Sequence, residues 1–441
     1  MQNLDNHDWH FLVGAALSVY QNAGGSNTNW SAFENKRTMF GQPFIHNNER
    51  CGEANGFWNS YEADIQRAKS LNSNCLRLSI EWGRIEPDQD KLDAAAIQRY
   101  HAIFDCIRRH GMEPVVTLYH FVHPLWFEHL GGFMQAANIQ LFVAYAVAMY
   151  KEFGSKVKMW ITFNEPGVQA FCGYIFGSFP PAHTLRPQLA GAHFCHMLRA
   201  HTAAYDAIKS CAGGRDVRVG IVHNYMNYAP ITPAWSGHVA WACGWLNSFW
   251  GTQQILEYFS SGRFHFPVPC SSPVRHQETS KPGLDFIGIN YYGRVLIDWK
   301  FKTVCHPGET MTDMPFPLYG KGLYEGIADL SKLGVPIYVT ESGVADNHGR
   351  TDRSLRQKYL DTYLPEVERA VRDGLDCRGF MYWTLIDNFE WVNGFSIKFG
   401  LWEWNPGSQE RIPLPQVQAL AKIFAGWPAK MRQIRQASAT S

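Results

Sequence analysis

The chain of 441 residues carries 40 basic against 39 acidic side chains, a formal net charge of +1, and no basic run, so nothing recommends a nucleic acid or an anionic membrane as partner. Hydrophobic residues make up 46% and charged ones 18%, enough for one large core, and no stretch of roughly 18 apolar residues offers a membrane span. Aromatic residues reach 14%, with 16 tryptophans, which suits a large core and also a pocket for flat, weakly polar faces such as those of sugar rings.

The N-terminal stretch MQNLDNHDWHFLVG lacks the basic segment and apolar run of a secretory signal. The 10 cysteines are scattered singletons with no C-x-x-C pair. Together these predict reduced thiols in a cytoplasmic protein.

Short, apolar, β-branched segments then recur along the chain: FLVGAA (11–16), CLRLSI (75–80), PVVTLYH (114–120), MWITFN (159–164), VRVGIVHN (217–224), DFIGIN (285–290), PIYVT (336–340) and RGFMYWT (378–384). Near-continuous hydrophobicity predicts strands buried on both faces, as in a parallel sheet. Between them, residues 94–111 place Ile97, Tyr100, Ile103, Phe104 and Ile107 at helical spacing and stop at Gly111. Residues 139–154 stop in the same way at Gly154, and 354–374 at Gly374, with Pro365 as a kink point. Eight strand candidates alternating with helices predict the α/β class, a single (β/α)₈ TIM barrel over residues 1–441. No early G-x-G-x-x-G follows a strand, which disfavours a doubly wound dinucleotide fold. Residues 225–282, with Trp241, Trp245 and Trp250, read as a long insertion after the fifth strand, and 296–335 as another after the sixth. The polar tail 428–441 reads as disordered.

In such a barrel the site lies where the strands end. ITFNEPG carries an apolar strand up to Glu165 and stops it with Pro166, which disfavours helix at Glu165 and is expected to hold it extended. PIYVTESG delivers Glu341 in the same way from the seventh strand. One such Glu equally suits a helix cap or a surface charge. Two on matching segments are the minimum for glycosidic bond cleavage, one protonated to donate to the leaving oxygen and one ionised to attack. A gap of about 5 Å would make the reaction retaining, and a wider one inverting. His120 with His123 and His193 with His196 are weak metal candidates. Residues i and i+3 of a strand face apart, and no third ligand accompanies the helical pair, so no metal and no cofactor is expected. No phosphate loop is present.

Taken in order, T-F-N-E-P (162–166), Y-V-T-E-S-G (338–343), W-T-L-I-D-N-F-E-W (383–391) with G-F-S-I-K-F-G-L (394–401), R-L-S-I-E-W-G-R-I-E-P (77–87) and T-L-Y-H (117–120) resemble glycoside hydrolase family 1, the β-glucosidase family. The resemblance implies Glu165 as general acid/base and Glu341 as nucleophile. It implies a sugar pocket from Gln21, His120, Asn164, Trp383, Glu390 and Trp391, with Arg77, Asn290 and Tyr292 around the nucleophile. Arg77 would keep Glu341 ionised by charge attraction. Two positions depart from the family pattern, Ala23 in place of a Glu and Phe121 in place of a Trp, and both bear on sugar preference. Members acting on 6-phosphosugars replace the Glu of F-E-W. Glu390 is retained here, and Phe399 stands where their phosphate-binding Tyr would be, so a non-phosphorylated sugar is expected, with Lys398 pointing the other way. The implied activity is a retaining, exo-acting β-glycosidase for a small β-glycoside or short oligosaccharide. A transglycosylase on the same scaffold, suggested by the insertion tryptophans, and an inactive sugar-binding protein are the alternatives.

Overall fold

The computed structural model describes residues 9–231, 237–250, 252–314, 316–347 and 355–440. Residues 1–8 and the Trp250 side chain, both used above, lie outside them. All eight apolar segments are strands: β1 (Leu12–Ala16), β2 (Cys75–Ser79), β3 (Glu113–Tyr119), β4 (Met159–Asn164), β5 (Arg218–Asn224), β6 (Phe286–Asn290), β7 (Ile337–Ser342) and β8 (Cys377–Trp383). Every neighbouring pair is parallel, and β1 joins both β2 and β8, which closes the barrel.

The strands are apolar without alternation because each has two buried faces. One face fills the lumen, with Ala16, Cys75, Val115, Met159, Val222, Phe286, Tyr338 and Met381 contributed by the successive strands. The other packs on helices, as Trp160 does between its lumen-facing neighbours Met159 and Ile161.

The helices follow from capping and periodicity. The carboxylate of Asp93 accepts from the amides of Ala95 and Ala96 at 2.8 and 3.0 Å, which starts the helix Ala94–Arg109. Ile103, Phe104 and Ile107 face inward, and Gly111 (φ 68) lets the chain leave. Gly374 ends Leu355–Arg372 in the same left-handed way, with Pro365 inside the helix. Gly154 differs: its φ of −61 is right-handed, so it ends Ile139–Phe153 without the expected turn.

Three expectations are corrected. Residues 225–282 and 296–335 are not pure insertions, because they contain the helices Thr252–Ser261 and Lys321–Leu330 that follow β5 and β6. The rest of these two connections is joined by a small sheet in which 295–297 pairs with both 228–230 and 303–304. The tail is ordered: helix Gln416–Thr440 runs through Pro428, with Met431 buried and the Ser438 hydroxyl donating to the Arg372 carbonyl at 2.7 Å. Trp427 anchors it, its ring 5.3 Å from that of Phe11 and 5.6 Å from that of Phe380.

The two ends of the barrel differ. Among the described residues the large hydrophobic side chains left exposed are Met39, Phe40, Leu92, Leu130, Phe176, Leu185, Trp241, Trp299 and Phe301. Every one lies on a connection leaving the C-terminal end of a strand.

Candidate active site

Glu165 follows the last residue of β4 and caps the helix Pro166–Tyr174. It is left-handed, with φ 46 and ψ 61, rather than extended. The Pro166 ring disfavours the right-handed helical region for its predecessor but does not choose between the regions that remain. Phe121 (φ 66) and Trp391 (φ 52) share the positive φ and line the same cavity. Such conformations persist where the surroundings over-determine them, commonly at functional sites.

In this position Glu165 is buried, and its Oε1 accepts from Asn290 Nδ2 at 2.6 Å and Asn224 Nδ2 at 3.1 Å. Glu341 lies in β7 beside Asn290 of β6. Its Oε1 accepts from Arg77 Nη1 at 2.5 Å and its Oε2 from the Tyr292 hydroxyl at 2.6 Å. Arg77, only 1% exposed, also donates to Asn164 Oδ1 at 2.7 Å. It is thus a buried cation fixed by several acceptors, not a side chain seeking the surface.

Burial raises both acids, but their neighbours differ. The Glu165 carboxyl is pushed up to about 8 by burial and then by the charge of Glu341. Burial also raises Glu341, yet Arg77 and the Tyr292 hydroxyl pull it back toward the ionised form. The neighbours therefore bias the proton toward Glu165 and the negative charge toward Glu341, the division that an acid and a nucleophile require.

Around them lies a cavity of about 240 Å³. His120, Asn164, Tyr292, Trp383, Glu390, Trp391 and Phe399 line it together with the two acids. Gln21, Arg77 and Asn290 stand behind this wall. Gln21 donates to Glu390 Oε2 at 3.2 Å and to the Phe389 carbonyl at 3.1 Å, and its buried Oε1 has no partner among the described residues. Burial and the charges of Glu341 and Glu165 push Glu390 up to about 8. His120 is held neutral by burial and by Arg77, with Nε2 3.3 Å from Asn164 Nδ2. The rings of Trp383 and Trp391 lie near-parallel to that of His120, at 5.9 and 6.1 Å.

Asn224 was not among the candidates, although a signal existed. The segments MWITFN, VRVGIVHN and DFIGIN each end an apolar strand on Asn, and Asn224 pairs in register with Asn290. The cavity residues Phe179, Met226, Met314 and Phe316 come from aperiodic connections and gave no signal. Of the insertion tryptophans, Trp241 and Trp245 do not line the cavity. Trp241 is 63% exposed, and Trp245 donates to the Pro267 carbonyl at 3.4 Å. Lys398 pairs with Glu403 at 3.1 Å. His123 bonds Glu128 at 2.8 Å, His196 bonds the Phe133 carbonyl at 2.8 Å, and no metal-binding cluster forms among the described residues.

Two buried carboxyls facing one sugar-sized hollow, at the strand ends of a closed parallel barrel, define the class as a barrel glycoside hydrolase. The family model for glycosyl hydrolase family 1 matches residues 5–418. A β-glycosidase structure from Pyrococcus horikoshii superposes with a TM-score of 0.81 at 31% identity, covering 94% of this chain and 93% of that one. A β-galactosidase of Pyrococcus woesei is 29% identical over 91% of this chain and 94% of its own length. Beta-glucosidase 47 of Arabidopsis thaliana is 29% identical over 92% and 82% respectively. The chain belongs to glycosyl hydrolase family 1, and the protein is an enzyme of the β-glycosidase kind.

Proposed function

We propose that the enzyme is a retaining, exo-acting β-glycosidase for non-phosphorylated β-D-glucosides, and also for β-galactosides and β-fucosides. The observation that carries the retaining step is the Asn290 amide. Its nitrogen is 2.6 Å from Glu165 Oε1, and its hydrogen bonding also favours the ionised form of Glu341. Asn290 is also the register partner of Glu341 across β6 and β7, so both acids stand next to one residue at the cavity wall. Two carboxyls that share one neighbour support the close spacing of about 5–5.5 Å that a retaining mechanism uses.

Glu341 attacks the anomeric carbon while Glu165 passes its proton to the leaving oxygen. A glycosyl ester on Glu341 results. Glu165, now ionised, takes a proton from water, whose oxygen attacks the same carbon and frees the sugar and Glu341. Arg77 and Tyr292 release charge density from Glu341 as it bonds to carbon. Asn164, His120 and Glu390 offer partners for the sugar hydroxyls, backed by Gln21, and Trp383 with Trp391 supplies flat apolar faces. Phe399 offers a phosphate nothing, and Lys398 is engaged by Glu403 at 3.1 Å, which supports a plain sugar. The relatives named as galactosidase and glucosidase support breadth at the sugar.

Incubation with a 2-deoxy-2-fluoro β-glucoside tests the mechanism. Peptide mapping is expected to find the label on Glu341. Turnover of aryl glucosides without any trapped ester, or a label elsewhere, overturns it. Transglycosylation is a second reading, supported by the apolar outer wall of the cavity, which receives an alcohol more readily than water. Added butanol would then appear as butyl glucoside among the products.

A further inference from the structure

We propose that the leaving-group half of the cavity selects an extended apolar aglycone, of alkyl chain type, over a second sugar. This rests on the β-glycosidase reading above and adds the class of aglycone to it.

The leaving group must lie beside its proton donor. Glu165, Val168 and Cys172 fall at positions i, i+3 and i+7 of one helical face, and Val168 and Cys172 line the cavity next to the acid. Met226, two residues beyond the Asn224 that bonds Glu165, continues this side. Met314 and Phe316, from the connection after β6, complete it. All five are half-buried and packed against the core on one side. Burial pushes the Cys172 thiol up to about 12, so it acts as an apolar wall and not as a nucleophile.

The polar side chains of this half already bond protein atoms. Asn224 donates to Glu165 at 3.1 Å, Asn393 Nδ2 lies 3.8 Å from Met314 Sδ, and Ser178 faces the Cys172 thiol. A pyranose placed here would bury hydroxyls with few remaining partners, which is unfavourable. A flexible hydrocarbon meets two methionines, whose unbranched thioethers adapt to its path. The sugar half is built the opposite way, with His120, Asn164, Tyr292, Glu341 and Glu390 on its wall. The cavity is therefore polar where the glycone sits and apolar where the aglycone leaves.

The test is kcat/KM for methyl, butyl, hexyl and octyl β-glucosides below their micellar concentrations, with cellobiose and p-nitrophenyl β-glucoside alongside. Each added methylene that enters the wall should raise kcat/KM roughly two- to fourfold, and hexyl or octyl glucoside should exceed cellobiose at least tenfold. In Met226→Gln and Phe316→Asn the octyl-to-methyl ratio should fall at least fivefold. Thermal melts show whether either variant is folded, and the wild-type series stands without them. A flat series, or cellobiose matching octyl glucoside, overturns the proposal while nitrophenyl glucoside is turned over. Silence on nitrophenyl glucoside as well removes the underlying glycosidase reading instead.

Discussion

At the residue scale the site works by giving similar carboxyls unlike neighbours. Glu165, as the proposed general acid, must keep its proton. The Glu165 carboxyl is raised to about 8, so the protonated form persists below that pH and kcat/KM should decline as pH rises through it. The Asn224 amide favours the ionised form. Asn224→Ala should therefore move this alkaline limb to higher pH, read from the pH profile on an aryl glucoside; an unmoved limb would detach Asn224 from the acid. Glu390 provides a second check. Its carboxyl is raised from 4.5 to about 8, so the unfolded chain ionises it from about 4.5 upward while the fold resists until about 8. Its effect on stability is thus unfavourable above that window and absent below it. Glu390→Gln keeps the shape without the charge. The gain in melting temperature over wild type should be larger at pH 9 than at pH 5, while activity falls; equal gains at both pH values would contradict the shift. Glu165 and Glu341 were legible in the sequence because they are polar groups that end apolar runs, whereas Glu390 was named only through the family motif and Asn224 was missed. The left-handed turn at Glu165 was not legible, because a following proline disfavours one region without selecting another.

At the element scale the strands announced themselves, because burial on both faces leaves few polar residues to blur their limits. Connections are harder to read. The helices Thr252–Ser261 and Lys321–Leu330 were hidden in long segments whose small extra sheet depends on pairing between residues 228–230 and 295–297, far apart in the chain. The last helix was hidden for another reason. After Pro428 its apolar content falls to isolated side chains such as Met431 and Ile434, which read as loop, yet Met431 is fully buried. Truncation after Trp427 should therefore lower the melting temperature. Met431→Ala should cost about 2–5 kcal/mol in denaturant unfolding. A frayed tail would make both changes silent.

At the scale of the whole molecule, closure of β1 between β2 and β8 makes the two termini of the chain joint owners of one cylinder. Alternation of apolar runs with helical stretches made that architecture legible. It could not show what the mouth would look like from outside, since exposure depends on how eight connections settle together. Their bare aromatic and aliphatic side chains all gather at the end where the strands finish, whereas Lys69 and Lys158 are exposed near the end where they begin. Adsorbed on a greasy bead, the enzyme would land face down and smother its own doorway; tethered by those amines, it would stand with the doorway open to the stream.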